Sequence, residues 1–366
     1  MMTHPYEHLP PDRFWRTAVA DRDPMAVGGL WQPKFAIKPR SRIITAGSCF
    51  AQHFSRALLA RGYRWSDHEP GPPGLTDDQR RDYNYGIFSF RTGNIYTPRM
   101  LRQWLSWALG PDAPPSEVWQ GRDRFHDPVR PAIEPDGFAS AAELHASRAV
   151  TLAAIRQAVA GAHVLVFTMG LTESWQNRDT GLEYATCPGT AAGQFDAGRH
   201  IFVNHRFDAL LSDLRAAIGL VRSLNPRLRV LLTVSPVPLT ATASGQHVLG
   251  ATSHSKALLR AVASECVADD PLTDYFPSYE IITHPVWQGR FFAANRRSVL
   301  PEGVAFVMEN FFRDQTATFG IAPPPAVAPA AAIPAEDKDD PAADIRCEEE
   351  LLAAFAPGGS PGQTAP

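Results

Sequence analysis

Ile43-Ile44-Thr45-Ala46-Gly47-Ser48-Cys49-Phe50-Ala51-Gln52-His53 changes its periodicity halfway along. The first half is apolar and β-prone. After Gly47-Ser48 the apolar residues Phe50, Phe54 and Leu58 recur every four positions, as on one face of a helix. A strand that ends in a tight glycine turn and feeds a helix places Ser48 at the carboxyl edge of a sheet. There the first-turn N–H groups of the helix are unpaired and point outward. A nucleophilic hydroxyl at that spot has its own backbone N–H beside it to hold a developing oxyanion. A plain helix N-cap serine fits the same local pattern.

Working outward, 163–169 and 229–235 are further β-prone runs with little alternation, the pattern of central parallel strands covered on both faces. Helical spacing follows at 141–160, 206–223, 256–268 and 304–312. Tyr275 to Ile282 reads as a short final strand. Alternating strands and helices predict an α/β fold, a three-layer sandwich on a central parallel sheet, spanning roughly residues 25–315. Residues 1–40 read as an arm packed over the domain, 66–82 as an exposed loop, 110–140 as a Pro-rich lid or hairpin, and 176–203 as irregular. From about residue 320 the composition turns to Pro, Ala, Asp and Glu. The expected division is therefore a domain at 1–320 and a disordered tail at 321–366 that takes no part in the chemistry. Within that tail, Glu348 to Phe355 is the one place for a short helix.

A chain of 366 residues with 44% hydrophobic content can bury a large core. A net charge of −3 makes no case for nucleic acid or an anionic membrane surface. Cys49, Cys187, Cys266 and Cys347 lie far apart with no Cys-x-x-Cys pair, which argues against a zinc site or a disulfide framework and fits a reducing compartment. Met1 to Pro10 shows no basic region followed by an apolar run, and no stretch approaches the ~20 apolar residues of a membrane span. A cytoplasmic location is expected. With neither Gly-x-x-x-x-Gly-Lys-Ser/Thr nor Gly-x-Gly-x-x-Gly, kinase and dinucleotide chemistry are disfavoured and no cofactor or metal is expected. Oligomeric state is not legible.

Gly47-Ser48-Cys49-Phe50-Ala51 after a strand resembles the signature of the GSCFA family, which is similar to the SGNH (GDSL-like) esterases; the likeness runs from about residue 5 to 315. It implies an SGNH-hydrolase-like (flavodoxin-like) sheet with Ser48 as nucleophile. Thr92-Gly93-Asn94-Ile95-Tyr96-Thr97 resembles a second family block, where Asn94 is either an amide donor to the site or a turn asparagine. Gly170, in Gly170-Leu171-Thr172-Glu173, resembles the glycine that ends the second site block. The N–H groups of Ser48 and Gly170 are then the expected oxyanion donors, with Asn94 or Asn204 as a third.

A serine nucleophile needs a base. The SGNH group carries it in a late Asp-x-x-His, but here the matching stretch reads Ala293-Ala294-Asn295-Arg296-Arg297-Ser298-Val299, without histidine. His247, on the loop after the strand that ends at Ser235, ranks first as a substitute, then His284 and His205. His53 reads as packing beside the site. Glu280 and Glu173 are the carboxylates expected to orient an imidazole, and each equally suits a cap or an Arg partner. Cys49 is a rival nucleophile expected to pack instead as a small apolar thiol. The resemblance points to a serine-dependent ester hydrolase or O-acyltransferase acting on an acylated carbohydrate or other small-molecule ester. A catalytically inactive α/β module binding a glycan or nucleotide-sugar is the alternative.

Overall fold

A computed structural model describes residues 4–325 and 348–356. Most of the expected tail, 326–347 and 357–366, lies outside the described residues. The strands are β1 (Ile43–Gly47), β2 (Trp119–Gln120), β3 (Phe125–His126), β4 (Val164–Met169), β5 (Glu173–Asn177), β6 (Glu183–Tyr184), β7 (His200–Asn204), β8 (Arg229–Val234) and β9 (Thr273–Tyr275). The α-helices are α1 (Phe50–Ala60), α2 (Asp77–Asp82), α3 (Pro98–Leu109), α4 (Ala141–Gly161), α5 (Phe207–Leu224), α6 (Val248–Asp269), α7 (Ser278–Thr283) and α8 (Pro301–Phe319).

β1, β4, β8 and β9 pair in that order, all parallel, as the central sheet. Alternate residues of these strands go to opposite sides, and both sides are buried. Ile44, Leu165, Phe167 and Leu232 join a core with α3, α4, α5 and α6. Ile43, Val164, Val166 and Leu231 join a second core with α1, α7 and α8. The expected helix–sheet–helix layering is therefore present. The N-terminal arm is part of the second core: Trp31 donates its indole N–H to Asp274, and its backbone N–H to Asp314 on α8.

Four stretches differ from expectation. The expected loop at 66–82 ends in α2, capped at Thr76, and buries Glu69. The expected final strand stops at Tyr275, because Pro277 has no N–H to extend a ladder and instead precedes α7. Helix α6 begins at Val248 rather than 256, so the segment expected to be a loop carrying His247 is a helix start. The stretch 176–203 contains β6 and β7, which flank the last residues of β5 in an antiparallel sheet. Trp175 opposite Tyr184 and Phe202 supplies aromatic cross-strand contacts that the glycine-rich composition concealed. Of the lid or hairpin expected at 110–140, the hairpin is present, through β2 and β3.

Candidate functional site

Gly47 ends β1 at φ +139°, a conformation L side chains rarely adopt, and a Cβ there would stand 2.4 Å from the Thr168 carbonyl oxygen. Only glycine fits. The turn it makes lifts Ser48 over the carboxyl edge, yet Ser48 does not cap the helix: Cys49 is the N-cap position of α1, with no side-chain capping bond. Ser48 is 1% exposed, and among the described residues its Oγ has no hydrogen-bond partner. A buried hydroxyl left in that state is uncommon and costs free energy.

Residues 94–96 are wedged between the ends of β1 and β4. Ile95 N–H donates to the Gly47 carbonyl at 2.8 Å, and Gly170 N–H donates to the Tyr96 carbonyl at 2.8 Å. Ser48 N–H donates to the Thr168 carbonyl at 2.9 Å, prolonging the β1–β4 ladder. Both backbone amides expected to hold an oxyanion are thus engaged, which corrects that expectation. Gly170 still abuts the serine, since a Cβ on it would lie 3.0 Å from Ser48 Cβ and 2.9 Å from Tyr96 Cδ1.

Asn94 is buried, and its side-chain amide donates to a carboxylate oxygen of Glu348 at 2.6 Å. Its turn is held from behind by charge. Arg130 donates to the Arg91 carbonyl and to Asp127, and Glu69 accepts from Arg91 N–H. Burial by itself would raise the Asp127 carboxyl, but the guanidinium groups of Arg130 and Arg148 outweigh it and hold it below the usual range.

The expected base is not at the serine. The His247 ring is exposed and accepts from Leu249 N–H as the N-cap of α6. His284 does the same for a short 3-10 turn, accepting from Val286 N–H. Burial, reinforced by Arg56, pushes His53 down to about 4, so it is neutral near pH 7. His205 is buried, with Nε2 2.8 Å from Glu183 and 3.1 Å from Ser174 Oγ. Both partners use one ring nitrogen, whereas a relay needs one on each. Glu280 is engaged by Arg260 at 2.5 Å and by the Tyr275 hydroxyl at 2.8 Å, its Arg-partner reading. Asn204 accepts from Thr172. Cys49 is buried, as expected of a packing thiol.

Two residues not singled out from the sequence reach this place. Lys256 on α6 is 1% exposed, and its ammonium donates to the Gly170 carbonyl at 2.7 Å. The signal was readable: Ala251, Ser255, Leu259 and Val262 form the inward stripe of α6, and Lys256 lies within it. Arg297 occupies the stretch expected to carry a late histidine. Asn295 accepts from Arg297 and Ser298 N–H groups in a tight turn, and the guanidinium extends to Glu349 and Glu350.

A cavity of about 190 Å³ is bounded by the antiparallel sheet, by Tyr96, Leu171 and Leu239, and by Glu349 and Leu352; Tyr96, which packs against Gly170, links it to the surroundings of the serine. Its walls are mostly apolar, through Trp175, Tyr184 and Phe202. Burial pushes the Glu173 carboxyl in that wall above the usual range, against hydrogen bonds from Thr242 and Ala243. Glu183 is fully buried, which would raise it, but His205, Thr97 and Arg99 hold it low.

The fold and site define an α/β protein with a buried serine at the carboxyl edge of a four-stranded parallel sheet, and an apolar cavity on the far side of Tyr96. The GSCFA family profile matches residues 42–311, and the chain belongs to the GSCFA family. Among curated proteins, none matches it significantly. Among the described residues, no helix is long and apolar enough to cross a membrane.

Proposed function

We propose that the protein is a serine-dependent acyl-transfer enzyme that hydrolyses an ester, or moves its acyl group, on an acylated carbohydrate or other small molecule, in the manner of SGNH hydrolases. The observation that carries this reading is the buried, unpartnered hydroxyl of Ser48 between Gly170 and the Asn94 turn. Ser48 Oγ attacks the ester carbonyl carbon. The Asn94 amide, which already holds one carboxylate oxygen, holds the oxyanion. The Lys256 ammonium first gives up a proton to solvent and then, as the free amine, takes the Ser48 proton, in place of the expected His247. Collapse of the tetrahedral adduct breaks the ester C–O bond, and the leaving alkoxide takes that proton. Water or an acceptor hydroxyl, passing its proton to the Lys256 amine, then attacks the acyl-enzyme; the acyl–Oγ bond breaks and Ser48 takes that proton back. The neighbouring cavity suits a small acyl group, since apolar cavities of roughly 150 Å³ accept a benzene-sized molecule.

A second reading rests on a separate observation. The Ser48 and Gly170 N–H groups are both spent on backbone carbonyls. A binding module for a glycan or nucleotide-linked ligand needs neither. A serine-directed fluorophosphonate separates the two: covalent labelling at Ser48 is expected for the enzyme, and its absence favours the binding module.

A further inference from the structure

Residues 348–356 return to the domain and seat against the Asn94 turn and the Thr240–Arg297 side of the apolar cavity. Glu348–Phe355 is a 3-10 helix, and Glu348 and Glu349 at its start are each 8% exposed, far more buried than acidic side chains of a surface helix. Glu348 accepts from the Asn94 amide at 2.6 Å and lies 3.5 Å from the Tyr96 hydroxyl. A Cβ on Gly93 would stand 2.9 Å from its other oxygen, so the Gly93 turn is shaped to admit it. Glu349 accepts from the Thr240 N–H at 2.8 Å and lies 3.5 Å from the Arg297 guanidinium, with the Lys256 charge also acting on it. Glu350 pairs with Arg297 at 2.8 Å. Leu352 enters the wall of the apolar cavity.

These contacts form a built subsite rather than a surface ion pair. Two adjacent carboxylates have separate donors, one set on the Asn94 turn and one on the Thr240–Arg297 side, while an apolar side chain enters the cavity between the sheet elements. We propose that the cleft between the Asn94 turn and the Thr240–Arg297 side is a binding site for a carboxylate-bearing ligand with an apolar neighbour, and that Glu348, Glu349 and Leu352 occupy it in cis as a displaceable plug. Burial pushes both carboxyls above their usual range, so the ionised form gives up hydration that its partners do not fully restore. A ligand carboxyl seated there meets the same burial cost, so a substrate displaces the plug by bringing more apolar area into the cavity than Leu352 does. That the plug blocks turnover rests on reading Ser48 as the nucleophile; that it seats does not.

The test uses the full chain and its Glu348→Lys/Glu349→Lys variant, with Leu352→Asp as a second way to evict the segment. A synthetic peptide of residues 348–356 is titrated into each and followed by calorimetry. The tethered segment competes at an effective concentration on the order of 1 mM, so the peptide should bind the evicted variants at least tenfold more tightly than the parent. Hydrogen exchange at the Thr240 amide should quicken at least tenfold in both variants, while that of β4 stays unchanged. Adding Arg297→Ala to the evicted variant should weaken the peptide. Equal peptide binding to parent and variants, or unchanged Thr240 exchange in both variants, overturns the proposal. Should the evicted variants behave as expected yet resist fluorophosphonate at Ser48, the plug stands and the enzyme reading falls.

Discussion

Gly170→Ala probes how tightly the serine is built into its surroundings. The added methyl would stand 2.9 Å from Tyr96 Cδ1, 3.0 Å from Ser48 Cβ and 3.5 Å from the Tyr96 carbonyl oxygen. The first two separations are closer than Cβ atoms ordinarily tolerate. The Tyr96 ring is buried and its carbonyl is bonded to Gly170 and Leu171 N–H groups, so it yields little. Overfilling a close-packed site costs about 1–3 kcal/mol. At roughly 2 °C per kcal/mol for a chain of this size, Tm should fall by about 2–6 °C. The serine side gives way too, and a shift approaching 1 Å costs on the order of 10²-fold in rate, so fluorophosphonate labelling should slow far more than stability suggests. Gly219→Ala is the internal control. That glycine lies within α5 with nothing within 4 Å of an added Cβ. It should gain about 0.5–1 kcal/mol, with labelling unchanged. The comparison uses urea denaturation midpoints, Tm and labelling rates for all three proteins. A Gly170→Ala protein equal to the parent in both stability and labelling would refute the close approach of Gly170 and Ser48.

Three other predictions use different parts of the molecule. Lys256→Met should lower ester turnover by at least 10², while His247→Ala, which removes an exposed cap, should leave kcat within twofold; steady-state kinetics on a p-nitrophenyl ester decides between them. Asp127→Asn leaves the buried Arg130 and Arg148 without their carboxylate and should cost about 3–5 kcal/mol in urea titrations. Because the folded Asp127 carboxyl is held low, its contribution is present above the unfolded value and lost as pH falls through the folded one, so the variant should show a flatter acid limb. Glu348 and Glu349 run the other way. Their seated forms are raised by burial, against Asn94 and Tyr96 at the first and Arg297, Lys256 and Thr240 at the second, with Glu173 adding to the rise at the second. Seating is then favoured below the free carboxyl value and weakens as pH rises through the seated one, so the peptide should bind the evicted variant more tightly at pH 5 than at pH 8.

The layering of the fold was legible because its determinants are local. β1, β4 and β8 are β-prone runs with little alternation, and the change of period at Gly47-Ser48 marks a strand feeding a helix. The two-residue strands β2, β3 and β6 carry no periodic signal, and their pairing is set by distant partners. Pro277 was a visible reason to end the last strand, and Gly93-Asn94 a visible turn. In the site, Ser48, Gly170 and Asn94 do come together, since each lies at or beside a strand end. The roles of their N–H groups were not legible, because a backbone amide looks the same in sequence whether it faces a substrate or a neighbouring carbonyl. His247 misled for a related reason: a histidine after a strand-end loop reads like a base, whereas here the loop gives way to a helix that needs a cap. Lys256 was within reach through its place on the inward stripe of α6. Glu348 and Glu349 were not, since an acidic stretch after a Pro/Ala-rich one reads as solvated, and only long-range contacts with Asn94, Thr240 and Arg297 show otherwise.

The central claim is that Ser48 is a nucleophile. Intact-protein mass spectrometry followed by peptide mapping, after exposure of the parent, the evicted variant and the Ser48→Ala protein to an alkyl fluorophosphonate, tests it most directly. One adduct at Ser48 is predicted, faster in the evicted variant than in the parent and absent from Ser48→Ala. No adduct at Ser48 in the evicted variant, or an equal adduct in Ser48→Ala, would contradict it.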